Sequence, residues 1–135
     1  MKVVINRCYG GFSLSHLAVK EYLKRKGKEC FFYVNNFDEP YKKVNEPDEK
    51  SMFISYSTKD LGNLTTWEEF EEFYFSCRNI DRDDEDLIAV VELLGEKANG
   101  RFSQLKIVEM PDGISWEIDE YDGLETVEEK HRSWF

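Results

Sequence analysis

A short β-branched run, a pair of glycines and a capped amphipathic helix stand in succession at the head of the sequence, and this order restricts the fold more than any other feature. Val3-Val4-Ile5, within Lys2 to Asn6, reads as a strand buried on both faces. The glycines of Cys8-Tyr9-Gly10-Gly11-Phe12-Ser13 break any regular element and permit backbone angles that other residues avoid. Ser13 or Ser15 then caps a helix with Leu14, Ala18 and Tyr22 on its apolar face, ending in Lys24-Arg25-Lys26 and stopped by Gly27. Cys30-Phe31-Phe32-Tyr33-Val34, within Glu29 to Asn35, follows as a second strand. Strand, helix and strand in this order predict a β-α-β unit, whose right-handed crossover sets the two strands parallel.

Beyond it, residues 36–50 turn charged and polar around Pro40 and Pro47, the pattern of a mobile insertion. Met52 to Tyr56 reads as a strand. Thr66 to Phe75 carries Trp67, Phe70, Phe73 and Tyr74 at helical spacing behind a Thr66/Glu69 capping box, and Phe73-Tyr74-Phe75 also suits a strand, so a short helix running into a strand is expected. Asp83-Asp84-Glu85-Asp86 opens a central helix with Leu87, Val91, Leu94 and Ala98 on one face. Leu105 to Met110 is a strand, and Asp122-Gly123 marks a C-terminal β-hairpin. The expected fold is therefore α/β or α+β, a single domain over 1–135 with the insertion at 36–50.

The balance of charge limits the function. Lys+Arg number 18 against Asp+Glu 28, a formal net charge of -10. Gripping a nucleic-acid backbone depends on neutralising phosphates with Lys and Arg, so duplex binding is disfavoured. An aromatic fraction of 15% is too high for a disordered acidic tail. No apolar run approaches the ~20 residues needed to span a bilayer, and Met1 to Ile5 is too short for a signal peptide, so a cytoplasmic protein is expected. Cys8, Cys30 and Cys77 are odd in number and widely spaced, which indicates neither a disulfide framework nor a metal site, and no cofactor is expected.

Residues able to hold a ligand cluster around the two helices. Cys8, Tyr9, Gly10, Gly11, Phe12 and Ser13 lie between a strand end and a helix N-terminus, where backbone N–H groups favour anions, although both the full G-x-G-x-x-G pattern and a P-loop are missing. A tight turn whose Tyr9 and Phe12 plug the core is the commoner use of such a segment. Arg78 and Arg82 precede the central helix, and Asn99 and Arg101 follow it. A guanidinium holds a phosphate bidentately or stacks on a base, and it equally often only offsets nearby carboxylates. His131 and Arg132 complete the candidate set, and a Cys8–His131 nucleophile pair is the enzyme alternative. Trp134-Phe135 at the end of the sequence must dock on the core or at a subunit interface, so a homodimer or higher homo-oligomer is expected.

The strings Met1-Lys2-Val3-Val4-Ile5-Asn6 with Cys8-Tyr9-Gly10-Gly11-Phe12, Leu94-Gly95-Glu96-Lys97-Ala98-Asn99-Gly100, Glu120-Tyr121-Asp122-Gly123 and Glu129-Lys130-His131-Arg132-Ser133-Trp134 resemble a family of small acidic proteins of bacteriophage and prophage genomes. The resemblance implies an accessory phage protein acting in the infected cell, a group that includes many proteins that blunt bacterial defence. Joined to the glycine turn, the arginines and the aromatic surplus, it leads to the expectation of a non-catalytic protein that sequesters a small nucleotide immune signal, such as a cyclic ADP-ribose derivative or a cyclic oligonucleotide. The alternatives are an acidic inhibitor that occupies a basic site on a host protein as a DNA mimic would, and a small hydrolase or nuclease.

Overall fold

A computed structural model describes residues 1–35, 40–47 and 54–130. Strand β1 (Lys2–Asn6) pairs antiparallel with β7 (Leu105–Glu109) in a two-stranded sheet. Five strands form a second sheet in the order β5-β3-β2-β4-β6: β2 (Phe31–Val34), β3 (Tyr41–Val44), β4 (Ile54–Ser57), β5 (Leu64–Thr65) and β6 (Tyr74–Phe75). A hairpin of β8 (Trp116–Tyr121) and β9 (Leu124–Glu129) is the third. With helices α1 (His16–Arg25), α2 (Trp67–Phe70) and α3 (Glu85–Leu94), the chain is a single-domain mixed α+β fold.

The strand, helix, strand order is present, but the expected parallel pairing of β1 with β2 is not, because the two lie in different sheets and every strand pairing among the described residues is antiparallel. The reason lies partly in the segment read as an insertion. Tyr41–Val44 is a strand there, and it gives β2 an antiparallel partner through a short connection, which local pairing favours over a crossover. Residues 36–39 and 48–50 of that segment lie outside the described residues.

Ser15, not Ser13, caps α1, accepting from the Ala18 N–H at 3.1 Å and donating to the Lys97 carbonyl at 2.6 Å. Asp84 caps α3 through the N–H groups of Asp86 and Leu87. That helix ends at Leu94 rather than Ala98, because Gly95 takes a positive φ and residues Gly95–Ala98 tighten into a 3-10 turn. The short helix running into a strand at 66–75 is as expected, except that Thr66 caps nothing and the Glu69 carboxylate accepts from Thr65 Oγ1 instead.

The main core lies where α1 and α3 meet β1, with Val4, Ala18, Val19, Leu23, Leu87 and Val90 buried together. Tyr22 of α1 and Lys26, the residue that caps its C-terminal end, bind the Asp84 cap, fixing the end of one helix to the start of the other. A second apolar centre forms around the fully buried Phe70, ringed by Tyr33, Tyr41, Trp67 and Tyr74.

Candidate functional site

Three loops converge beside β1: the glycine turn, residues 99–103 and the tip of the C-terminal hairpin. Their approach is so close that a Cβ on Gly10 would stand 1.9 Å from the Phe102 carbonyl oxygen. At the hairpin tip Asp122 and Gly123 both have positive φ, as a two-residue type I′ turn requires, and a Cβ on Gly123 would meet the Gly11 nitrogen at 2.5 Å. The glycines thus serve first as points of contact between backbones.

A buried polar cluster ties these loops to the free edge of β1. Val4 N–H donates to the Arg82 carbonyl at 2.8 Å, and the Val4 carbonyl accepts from Arg82 Nη1 at 3.3 Å. The Asn6 N–H donates to Glu125 Oε1 at 2.8 Å. Where a neighbouring strand would run, a guanidinium and a carboxylate therefore satisfy the edge. Arg82 and Glu125 meet bidentately at 2.6 and 2.9 Å, with Glu125 only 3% exposed, and the guanidinium stacks on Phe12 at 3.5 Å. The Asn6 side chain donates to the Cys8 and Gly123 carbonyls and accepts from the Gln104 N–H, joining all three loops.

An open groove of about 1360 Å³ runs alongside. The glycine turn with the start of α1, strand β4, residues 74–78 and the 96–102 turn form its walls. Its size exceeds the roughly 300–1,000 Å³ of ordinary small-ligand sites. Arg78, Lys97 and Arg101 are exposed cations on it, with Glu96 and Glu120 as exposed carboxylates. Phe12, Tyr56, Tyr74, Phe75 and Phe102 supply aromatic surface. Burial is the main cause that pushes the Tyr56 phenol far above its ordinary range, so it stays a neutral hydroxyl.

Of the residues singled out from sequence, Gly10, Gly11, Phe12, Ser13, Arg78, Arg82, Asn99 and Arg101 line this groove. Several are engaged structurally. Arg82 is held by Glu125 and Phe12, Asn99 Oδ1 accepts from the Leu105 N–H, and Arg101 lies 5.2 Å from the Phe102 ring. Cys8 and Tyr9 stand outside it: the Cys8 thiol donates to the Phe102 carbonyl at 3.0 Å, and Tyr9 is exposed. His131 and Arg132 lie outside the described residues, as does Trp134-Phe135.

Sequence reasoning missed Asn6, Lys97, Tyr74 and Glu125. Glu125 left a signal, since it shares the inward face of β9 with Val127, a position an alternating strand normally gives to an apolar residue. Among the described residues no group of three or more His, Cys, Asp or Glu is placed to hold a metal, and no helix is long and apolar enough to cross a membrane. No family model matches the chain, and neither the curated proteins nor the solved structures yield a match.

Proposed function

We propose that this chain is a binding protein that takes a small phosphate-bearing nucleotide into the groove without turning it over. Following the phage resemblance, its role is to sequester a nucleotide immune signal such as a cyclic ADP-ribose derivative or a cyclic oligonucleotide. The observation that carries this is the pairing, in a chain of net charge -10, of an aromatic-walled groove with two exposed cations, Arg78 and Lys97, that make no ion pair among the described residues. A groove that carries both exposed cations and aromatic surface suits a ligand with both a phosphate and a base. Arg82 supports the wall and does not face the phosphate, because Glu125 already neutralises it.

Incubation of the purified protein with each class of signal, followed by heat release, tests this directly. Intact ligand in the released fraction, and affinity lowered at least tenfold by Arg78→Ala with Lys97→Ala, support sequestration. Appearance of a hydrolysis product overturns it in favour of an enzyme.

One observation favours a second role, docking on a basic site of a host protein. Glu117 and Glu128 stand directly opposite one another on the exposed face of the hairpin, with Asp119 beside them. Like charges so placed destabilise a strand pair and are relieved by a cationic partner.

A further inference from the structure

The aromatic centre around Phe70 leaves two of its rings partly in water. Phe70 is fully buried, stacked on Tyr41 with ring centroids 4.8 Å apart and 7° between planes, and Tyr33 meets it edge-on at 5.3 Å. Two members of the cluster remain outside: Trp67 is 45% exposed and Tyr74 46%. Their rings stand 5.6 Å apart with planes inclined at 64°, so they form a corner of aromatic surface. A side chain needed only to bury Phe70 has no reason to be an indole left half in water.

The chain around this corner is strongly acidic. Glu68, Glu71 and Glu72 lie between the two rings in sequence, all are exposed, and none makes an ion pair among the described residues. The same segment already shows how it receives a cation, since the Lys59 ammonium sits 4.9 Å from the centre of the Phe73 ring. Aromatic faces attract cations through their quadrupole, and the attraction grows as the site loses water.

We infer that Trp67 and Tyr74, with Glu68, Glu71 and Glu72, form a docking shelf for an arginine- or lysine-rich segment of a partner protein. A basic side chain inserts into the aromatic corner, and the carboxylates hold its neighbours. Apolar surface and negative charge together select this occupant: an acidic peptide is repelled, and a purely apolar one would bury carboxylates unpaired. Tyr74 also lines the groove, but the shelf includes neither Arg78 nor Lys97, and it does not rest on the groove holding a nucleotide.

The test uses the full chain and a synthetic arginine-rich dodecapeptide, titrated by calorimetry, with its citrulline counterpart as the uncharged control. Tyr74→Ala and, separately, the triple change Glu68→Gln, Glu71→Gln and Glu72→Gln are each expected to weaken peptide binding at least tenfold. Trp67→Ala does the same, and Trp67→Phe retains part of the affinity. Circular dichroism establishes that each variant is folded, and the triple change, confined to exposed residues, keeps the test valid if an aromatic variant unfolds. Binding that is equal for the arginine and citrulline peptides overturns the inference. So does binding that is unaffected by the shelf variants but abolished by Glu117→Gln with Glu128→Gln on the hairpin.

Discussion

Glu125→Gln is the sharpest perturbation of the scaffold. It preserves the shape and one acceptor, but leaves the Arg82 guanidinium, whose side chain is 19% exposed, without its counter-charge. Removing one partner of a buried ion pair costs about 3–5 kcal/mol, and the retained acceptor places this change near the lower end. A chain of this length has roughly 7–20 kcal/mol of stability, so a loss of about 3 kcal/mol is substantial. At about 3–5 °C per kcal/mol the melting temperature falls by roughly 9–15 °C. Urea unfolding followed by tryptophan fluorescence measures the loss, and hydrogen exchange locates it: the Asn6 amide, bonded to the Glu125 carboxylate, should lose more protection than Val3 within the β1–β7 ladder. Arg82→Met combined with Glu125→Leu should recover part of the loss, because no charge is then left buried. A loss under about 1 kcal/mol with Asn6 protection unchanged would refute the idea that this pair closes the β1 edge.

Three further outcomes follow from the packing and the charges. Gly123→Ala and Gly10→Ala should each destabilise by more than about 2 kcal/mol in a thermal melt, because their Cβ atoms would collide with backbone rather than with a movable side chain. Burial raises the Asp84 carboxyl, but hydrogen bonds from Lys26, the Leu87 N–H, Tyr22 and the Asp86 N–H outweigh it and hold the group below the ordinary aspartate value. Its stabilisation is therefore complete above an unfolded pKa of about 3.9 and is lost as the pH falls through the folded value, so Asp84→Asn should flatten that part of the acid limb of stability. Burial also pushes the Cys30 thiol up to about 12. Relative to an ordinary thiol it holds about a thousandfold less thiolate at pH 8, and native Cys30 should be alkylated correspondingly more slowly than in urea.

Much of the local structure was legible in the sequence because it is encoded within a few residues of where it appears. Capping serines and aspartates, apolar spacing at three and four residues, and Asp122-Gly123 each fix their own element. Which strands pair was not legible. The run Val3-Val4-Ile5 announces burial on both faces but not whether its neighbour is Phe31–Val34 or Leu105–Glu109, since pairing depends on contacts distant along the chain. The strand Tyr41–Val44 was hidden for a related reason: Tyr41-Lys42-Lys43-Val44 places two lysines in a half-exposed strand, and composition alone assigns such residues to a loop.

At the site, the turn residues and the arginines Arg78, Arg82 and Arg101 were visible as types suited to anions, and eight of the twelve candidates do line one groove. Their roles were not visible. Arg82 reads the same in sequence whether it meets a phosphate or Glu125, and only the fold reveals that it is already paired. Lys97 carried no local signal because its place on the groove depends on where α3 stops.

Native mass spectrometry of the protein purified from bacterial cells with active nucleotide signalling tests the binding proposal most directly. The account predicts a retained adduct with the mass of an intact nucleotide, present on the native chain and lost from the Arg78→Ala, Lys97→Ala variant. A chain that emerges without a nucleotide from cells shown to contain the signal, or an adduct retained equally by that variant, would contradict it.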